Sequence, residues 1–226
     1  MRKYFYNIFL IIKNINNYGI LTFLYASIIE IYFLLKFWDF HSFTHDDSAT
    51  STYEETKINQ IYNTQHTPTP YFFLLKALDF IKKEKINDFI LIDMGCGYGR
   101  VGKFFLSRTK CEFYGLEINN KFIDKMKNFS LKNKNFNIYC IDLRNKEFRN
   151  KIFDTIKNKK KKIVLFFSDP FDIDTIIDIL NSFKKNDHIV IGINVNKLDK
   201  LLLNYKIKYV KFFQNKLRHI VLLNKK

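Results

Sequence analysis

One short stretch, beginning at Phe89, combines the residue types that could bind a ligand. It reads Phe-Ile-Leu-Ile-Asp-Met-Gly-Cys-Gly-Tyr-Gly-Arg-Val-Gly and holds four of the chain's 7 glycines. Glycine permits positive φ angles and lets a ligand or a second backbone approach closely. An apolar run that ends in an acid and leads through a glycine turn into a helix binds nucleotide-like ligands in α/β folds. The stretch is therefore the leading candidate for a ligand site.

The spacing of the glycines excludes two common phosphate-binding motifs. A dinucleotide fingerprint, G-x-G-x-x-G, needs a glycine three residues after Gly97, where this chain has Arg100. A P-loop ends in G-K-[ST], whereas Gly102 and Lys103 are followed by Phe104. The ligand is therefore expected to be neither a dinucleotide nor a nucleoside triphosphate held by a P-loop.

The remaining pattern, an acid followed by glycine at every second position, resembles motif I of the class I S-adenosylmethionine (SAM)-dependent methyltransferases. The resemblance implies that the glycines let the backbone lie close to the methionine part of SAM. It also implies that the acid orients the loop and meets the ligand ammonium, directly or through water. The expected cofactor contacts in this loop are Asp93, Gly95, Cys96, Gly97, Gly99 and Arg100.

The resemblance continues at the ends of the next two apolar segments. In the family, the second strand ends in an acid that accepts hydrogen bonds from both ribose hydroxyls, and Glu117 has that position here. The third strand ends in an acid or amide near the adenine amino group, which here is Asp142. By the same resemblance, Ile118 and Leu143 sandwich the adenine. The alternative for both acids is a helix N-cap or a surface carboxylate.

Ser-Asp-Pro-Phe at 168–171 occupies the place of the family's acceptor motif. It resembles the Asn/Asp-Pro-Pro-Tyr/Phe motif of amino-group methyltransferases, without the second proline. It is closer to the Asn-Pro-Phe of a set of bacterial class I members that have Gly-x-Gly-Arg in motif I and a Tyr-x-Pro-Ser/Thr element upstream. Asp169 is then the expected catalytic residue, which orients or deprotonates the acceptor; alternatively it is a turn acid before proline. The expected substrate contacts are Pro170, Phe171, His66 and Thr69.

Apolar runs alternate with helical patterns over the rest of the chain, which predicts parallel strands covered on both faces. Strands are expected at 89–93, 113–118, 137–142, 162–168, 188–195, 206–213 and 218–223, with helices at 71–83, 100–108, 121–132, 148–158 and 173–184. The last two strands are joined by a turn too short for a crossover, so they must be antiparallel. The expectation is an α/β, Rossmann-like class I methyltransferase fold with a seven-stranded, mostly parallel sheet, a C-terminal antiparallel hairpin and an N-terminal helical extension.

Three regions follow from this organisation: an apolar helical extension at 1–40, a polar connector or lid at 41–66, and a SAM-binding domain at 67–226. The extension has apolar stretches at 4–12 and 19–35, the second near the lower limit for a membrane span. It has no small-residue cleavage site, which argues against a secretory signal. Three alternatives remain for residues 1–38: a helix packed on the protein, a helix in peripheral contact with the membrane, and a true span.

The net charge of +16 is compatible with a nucleic-acid partner, although the richness in Lys, Ile and Asn also fits an AT-rich genome. The 3 cysteines and 5 histidines show no metal-site spacing, so no metal site is expected. The cysteines are expected to be reduced thiols in the cytoplasm. The predicted function is methyl transfer from SAM to an unidentified small molecule, glycan precursor or protein side chain, in the cytoplasm or at the inner membrane face. The alternatives are an RNA or DNA amino-group methyltransferase and a non-catalytic SAM-binding protein.

Overall fold

The computed structural model describes residues 19–37, 68–168, 173–195, 198–212 and 219–226. Helices and strands alternate from the second helix to the sixth strand, as the apolar pattern predicts. The helices are α1 (Ile20–Phe37), α2 (Tyr71–Lys83), α3 (Arg100–Leu106), α4 (Asn120–Lys132), α5 (Lys146–Lys157), α6 (Ile173–Ser182) and the short α7 (Leu198–Leu201). The strands are β1 (Asp88–Met94), β2 (Lys110–Glu117), β3 (Phe136–Cys140), β4 (Lys162–Ser168), β5 (His188–Ile193), β6 (Tyr205–Phe212) and β7 (His219–Lys225).

The strands form one 7-stranded sheet in the order β3-β2-β1-β4-β5-β7-β6. The first five strands along the chain pair in parallel, and β7 pairs antiparallel with both β5 and β6. This confirms the predicted α/β class I methyltransferase fold with its C-terminal hairpin. The single-turn helix α7 was not predicted, because four residues are too few to show a helical period.

Alternate residues of each central strand enter different halves of the core, as the two-residue period of a strand requires. Phe89 and Leu91 of β1 pack on the side of α2, α3 and α4, whereas Ile90 and Ile92 pack on the side of α5 and α6. All four side chains are fully buried. The sheet is thus covered on both faces, which holds its strand ends in a fixed arrangement.

β3 departs from the prediction of a strand buried on both faces. It lies at one edge of the sheet, its middle residues are half-buried, and Cys140 at its end is exposed. An edge strand has no neighbour on its outer side, so its side chains are covered only where α4 or the chain after it reaches them. Cys140 falls within the strand predicted at 137–142, and the prediction that this strand is covered on both faces is therefore wrong.

The N-terminal helix α1 packs on α2 and α3. Phe33 lies 4.8 Å from Tyr71 and 5.5 Å from Phe104 between ring centroids. The described part of this segment, 19–37, therefore contains a helix packed on the protein, and membrane contact of its outer face stays a prediction. α1 is also, among the described residues, the one helix long and apolar enough to cross a membrane.

Candidate cofactor site

The predicted cofactor residues that the structure describes lie at the carboxyl ends of β1, β2 and β3. In open parallel sheets, ligands bind outside these ends where the strand order reverses, which here is between β1 and β4. Met94, the last residue of β1, pairs with Leu116 of β2 and with Phe167 of β4. The glycine loop, Glu117 and the end of β4 therefore start from adjacent positions.

The loop after β1 is tied down by backbone hydrogen bonds. The N–H groups of Gly95 and Cys96 both donate to the carbonyl of Leu116, at 2.9 and 3.1 Å. Gly97 has a φ of 51°, in the left-handed region that glycine adopts without strain. The loop backbone is thus held in one conformation against the end of β2.

Gly99 serves packing as well as backbone geometry. Its φ is 70°, and it directly precedes helix α3. A Cβ at this position would lie 2.6 Å from the sulfur of Met126 and 2.7 Å from the ring of Phe136. Glycine is therefore required here because side chains of α4 and β3 pack against the core side of the loop. This requirement holds whether or not a ligand approaches the opposite side.

The side chain of Cys96 turns into the core and not toward the open side of the loop. Its sulfur lies so close to Gly115 of β2 that a Cβ there would be 2.8 Å away. Burial, with smaller contributions from Asp93 and Glu117, raises the pKa of the thiol well above its ordinary value. Both burial and the raised pKa disfavour the thiolate, and the backbone is the part of Cys96 that lines the loop.

Glu117 joins the end of β2 to the glycine loop. Its Oε2 accepts a hydrogen bond from Gly97 N–H at 2.8 Å, and its Oε1 accepts one from Asn119 N–H at 2.9 Å. The carboxylate is only 8% exposed, and burial raises its pKa despite these two donors. Asn119, a residue that the sequence analysis missed, also caps α4 by accepting from Lys121 N–H at 2.9 Å.

Asp93 lies beneath the loop and is 3% exposed. Burial raises the pKa of its carboxyl well above the ordinary value, and the charge of Glu117 raises it further. Its Oδ2 is buried and has no hydrogen-bond partner among the described residues. Burying a carboxylate oxygen without a partner costs free energy, unless a cation or a hydrogen-bond donor of a ligand binds it. Two buried acids beside one loop suit a ligand that carries positive charge.

The side chain of Arg100 binds the N-terminal helix, so the predicted contact with the cofactor stays a prediction for its backbone alone. Its guanidinium forms an ion pair with Glu30 of α1, donates to the carbonyl of Thr69 at 3.3 Å and lies over the ring of Tyr71 at 4.6 Å. Glu30 also accepts from Tyr71 N–H, the first backbone donor of α2, at 2.9 Å. The signal for Glu30 was present in the sequence, because a lone acid in an apolar helix needs a buried partner.

Comparison with known proteins agrees with this geometry. Residues 91–181, which run from β1 through the acceptor motif, match the family model described as "Methyltransferase domain". They contain both buried acids and Asp142. The chain is a SAM-dependent methyltransferase. SAM fits the site because its ammonium and sulfonium are cationic and Oδ2 of Asp93 lacks a partner within the described residues.

Solved structures with the same fold include two methyltransferases. Magnesium protoporphyrin IX methyltransferase from Synechocystis, with bound SAM, is 11% identical with a TM-score of 0.50, and the match covers 68% of this chain and 78% of that one. A candidate caffeoyl-CoA O-methyltransferase from Staphylococcus aureus is 12% identical with a TM-score of 0.52, covering 69% and 83%. At these identities the likeness concerns the fold. No curated protein sequence matches the chain.

The adenine end of the methyltransferase site differs in part from the prediction. Ile118 is 38% exposed and available for a ring, but Leu143 is 2% exposed in the core against the α5 side of the sheet. Leu143 therefore has too little free surface to stack on adenine, which corrects that prediction. Burial favours a higher pKa for Asp142, but hydrogen bonds from Arg144 to both of its oxygens outweigh this and lower it.

Four of the predicted acceptor residues, His66, Asp169, Pro170 and Phe171, lie outside the described residues. Thr69 is described and buried, and it offers its carbonyl to Arg100 as noted above. Among the described residues, no group of His, Cys, Asp and Glu could hold a metal ion.

SAM affinity is expected to rise with pH through the raised pKa of Asp93. A cationic ligand favours the ionised carboxylate, so binding lowers this pKa and releases a proton when the free site is partly protonated. Calorimetry in buffers of different ionisation enthalpy measures that release. Asp93→Asn should weaken binding and remove the pH dependence together. If Asp93→Asn keeps the same proton release as the wild type, the carboxylate does not meet the ligand cation.

Proposed function

We propose that the enzyme transfers the methyl group of SAM to an acceptor bound beside Asp169, and that the acceptor is a small molecule, a glycan precursor or a protein side chain. β4 ends at Ser168, next to the glycine loop in the sheet. Asp169 is the next residue in the sequence. The position supports a role on the acceptor side of the cofactor.

Methyl transfer from SAM mainly requires the protein to align the two reactants. The sulfonium of SAM is reactive, and the protein holds it in line with the attacking atom. A carboxylate beside that atom orients it by accepting its proton in a hydrogen bond, or removes the proton when the nucleophile is protonated. This is the function that we assign to Asp169.

The location of the basic residues argues against a nucleic-acid acceptor. The most lysine-rich run of the chain, 157–162, extends from the last residue of α5 to the first residue of β4, so it lies at the amino end of a strand whose carboxyl end faces the cofactor. A strand of this length separates its two ends by roughly 20 Å. Four lysines of the run are also paired with acids: Lys157 with Asp154, Lys159 with Glu112, Lys161 with Asp88 and Lys162 with Asp187.

A cytoplasmic location is part of the proposal. All three cysteines, Cys96, Cys111 and Cys140, are free. Unpaired thiols are typical of proteins in reducing compartments.

Replacing Asp169 with alanine should lower turnover far more than SAM affinity. Loss of a group that orients or deprotonates the acceptor costs about 10²–10⁴-fold in rate, whereas the cofactor contacts of Glu117 and the loop are unchanged. Turnover is measured as S-adenosylhomocysteine release, and affinity by calorimetry. Asp174→Ala, in the first turn of α6 and 77% exposed, is the matched control and should leave both unchanged. Equal losses of turnover and affinity in Asp169→Ala would contradict the acceptor-side role.

The acceptor class is tested with fractions of a cell extract and labelled SAM. Label in the small-molecule, glycan or protein fraction supports the proposal. Label in RNA or DNA that is lost on nuclease treatment supports the alternative, and binding to mixed nucleic acid should then fall steeply with salt.

A further inference from the structure

The outer face of α1 carries an unusual number of exposed apolar side chains. On surface helices of globular proteins, the face turned to water is normally charged or polar. Here the face has no charged residue from Ile20 to Leu35, and Leu21 at its start is 79% exposed. The outer face of α1 consists of Ile20, Leu21, Leu24, Tyr25, Ile28, Ile31, Tyr32 and Leu35, all more than half exposed.

These side chains form one continuous surface. At 3.6 residues per turn, the eight positions fall within an arc of about 140° around the helix axis. The opposite side holds the buried Ile29, Phe33 and Leu34 and the paired Glu30. α1 is therefore apolar on both sides, and only its inner side is covered by the described part of the chain. Continuous exposed apolar surfaces of this kind mark contacts with a partner or a membrane.

The net charge of the N-terminal segment of the sequence favours an anionic lipid surface as the occupant. Residues 1–38 contain Arg2, Lys3, Lys13 and Lys36, and their one acid is Glu30. Glu30 is already neutralised by Arg100, so the segment presents net positive charge. Basic residues beside an apolar helix face attract anionic headgroups, and each adds to membrane affinity.

Tyr25 and Tyr32 fit the same occupant. Each lies on the outer face with its ring partly packed, against Phe72 and Phe33 respectively. Tyrosine places an apolar ring below the headgroups and a hydroxyl among them. A second copy of this chain fits less well, because a stable interface takes about 20–30 residues a side and this face supplies one helix.

The inner contacts of α1 set its orientation at the membrane. A helix that crossed the bilayer would be surrounded by lipid, whereas Phe33 and Glu30 are packed against α2 and α3. We propose that α1 lies in the plane of an anionic membrane with its outer face in the headgroup and acyl boundary, while its inner face stays docked on the enzyme. This proposal is independent of the acceptor.

Flotation of the full-length protein with vesicles tests it. Vesicles of phosphatidylcholine and phosphatidylglycerol, at about 7:3, should carry the protein upward, and vesicles of phosphatidylcholine alone should carry much less. The double variant Leu24→Glu/Ile28→Glu should reduce flotation by at least about tenfold. The matched control is Leu131→Glu/Leu203→Glu, which changes two apolar residues elsewhere that are more exposed than Leu24 and Ile28 and should float like the wild type.

Thermal unfolding and SAM binding are measured on each variant, to check that the enzyme is folded and that α1 remains docked. A wild-type protein that stays soluble with anionic vesicles would overturn the proposal, as would equal flotation of the outer-face and control variants. A wild-type dimer that the outer-face variant converts to a monomer would also overturn it, in favour of a second copy as the occupant.

Discussion

Replacing Glu117 with alanine is expected to weaken SAM binding by about 100-fold or more. Two hydrogen bonds from the ribose hydroxyls to a charged acceptor contribute about 1.5–3 kcal/mol each, so their joint loss corresponds to at least this factor. The substitution also removes the acceptor for Gly97 N–H, which holds the glycine loop at 2.8 Å from the carboxylate. Calorimetric titration with SAM and with S-adenosylhomocysteine should show the same loss, because both ligands carry the ribose.

Two further variants separate the ribose contact from effects on the loop. Glu117→Gln keeps the length of the side chain and one carbonyl oxygen, and it should retain more affinity than the alanine variant. Glu147→Ala removes an acid that is 74% exposed on α5 and should leave binding unchanged. An unchanged SAM affinity in folded Glu117→Ala would refute the ribose role.

The sheet could be predicted from the sequence because its strands are short apolar runs separated by helical patterns. The positions of the acids follow from the same pattern, since Asp93 and Glu117 come at the ends of neighbouring strands. In a parallel sheet those ends lie at one edge, so position along the chain specifies position in space. The local pattern thus placed the cofactor loop and both buried acids.

Contacts between distant parts of the chain could not be predicted in the same way. Arg100 follows the glycines and was expected to face the ligand, yet it pairs with Glu30, 70 residues away in the chain. Leu143 was expected beside the adenine, but an apolar residue after a strand is equally suited to the core beneath it. For each residue, the sequence pattern is the same whether the side chain faces the ligand or packs inside the protein. Only the packing of the helices on the sheet decides between these two positions.

Replacing Glu30 with alanine is expected to destabilise the docking of α1 by about 3–5 kcal/mol, the usual cost of removing one partner from a buried ion pair. Arg100, whose side chain is only 5% exposed, would lose this carboxylate. The first N–H of α2, at Tyr71, would lose its acceptor as well. Hydrogen exchange of the α1 amides and urea unfolding together measure the loss, and exchange should rise mainly in α1.

A double-mutant cycle with Arg100 shows whether the ion pair itself causes the loss. Arg100→Met alone should also destabilise the docking, because Glu30 then loses its cationic partner and keeps only the hydrogen bond from Tyr71 N–H. Glu30→Leu/Arg100→Met replaces both charges by apolar side chains and should recover most of the stability, since apolar pairs often substitute for buried ion pairs without cost. Asp174→Ala breaks the exposed pair with Lys200 and should cost less than about 1 kcal/mol. If the double variant is as unstable as the sum of the single ones, the two residues act separately and the link between α1 and the cofactor loop does not depend on their pairing.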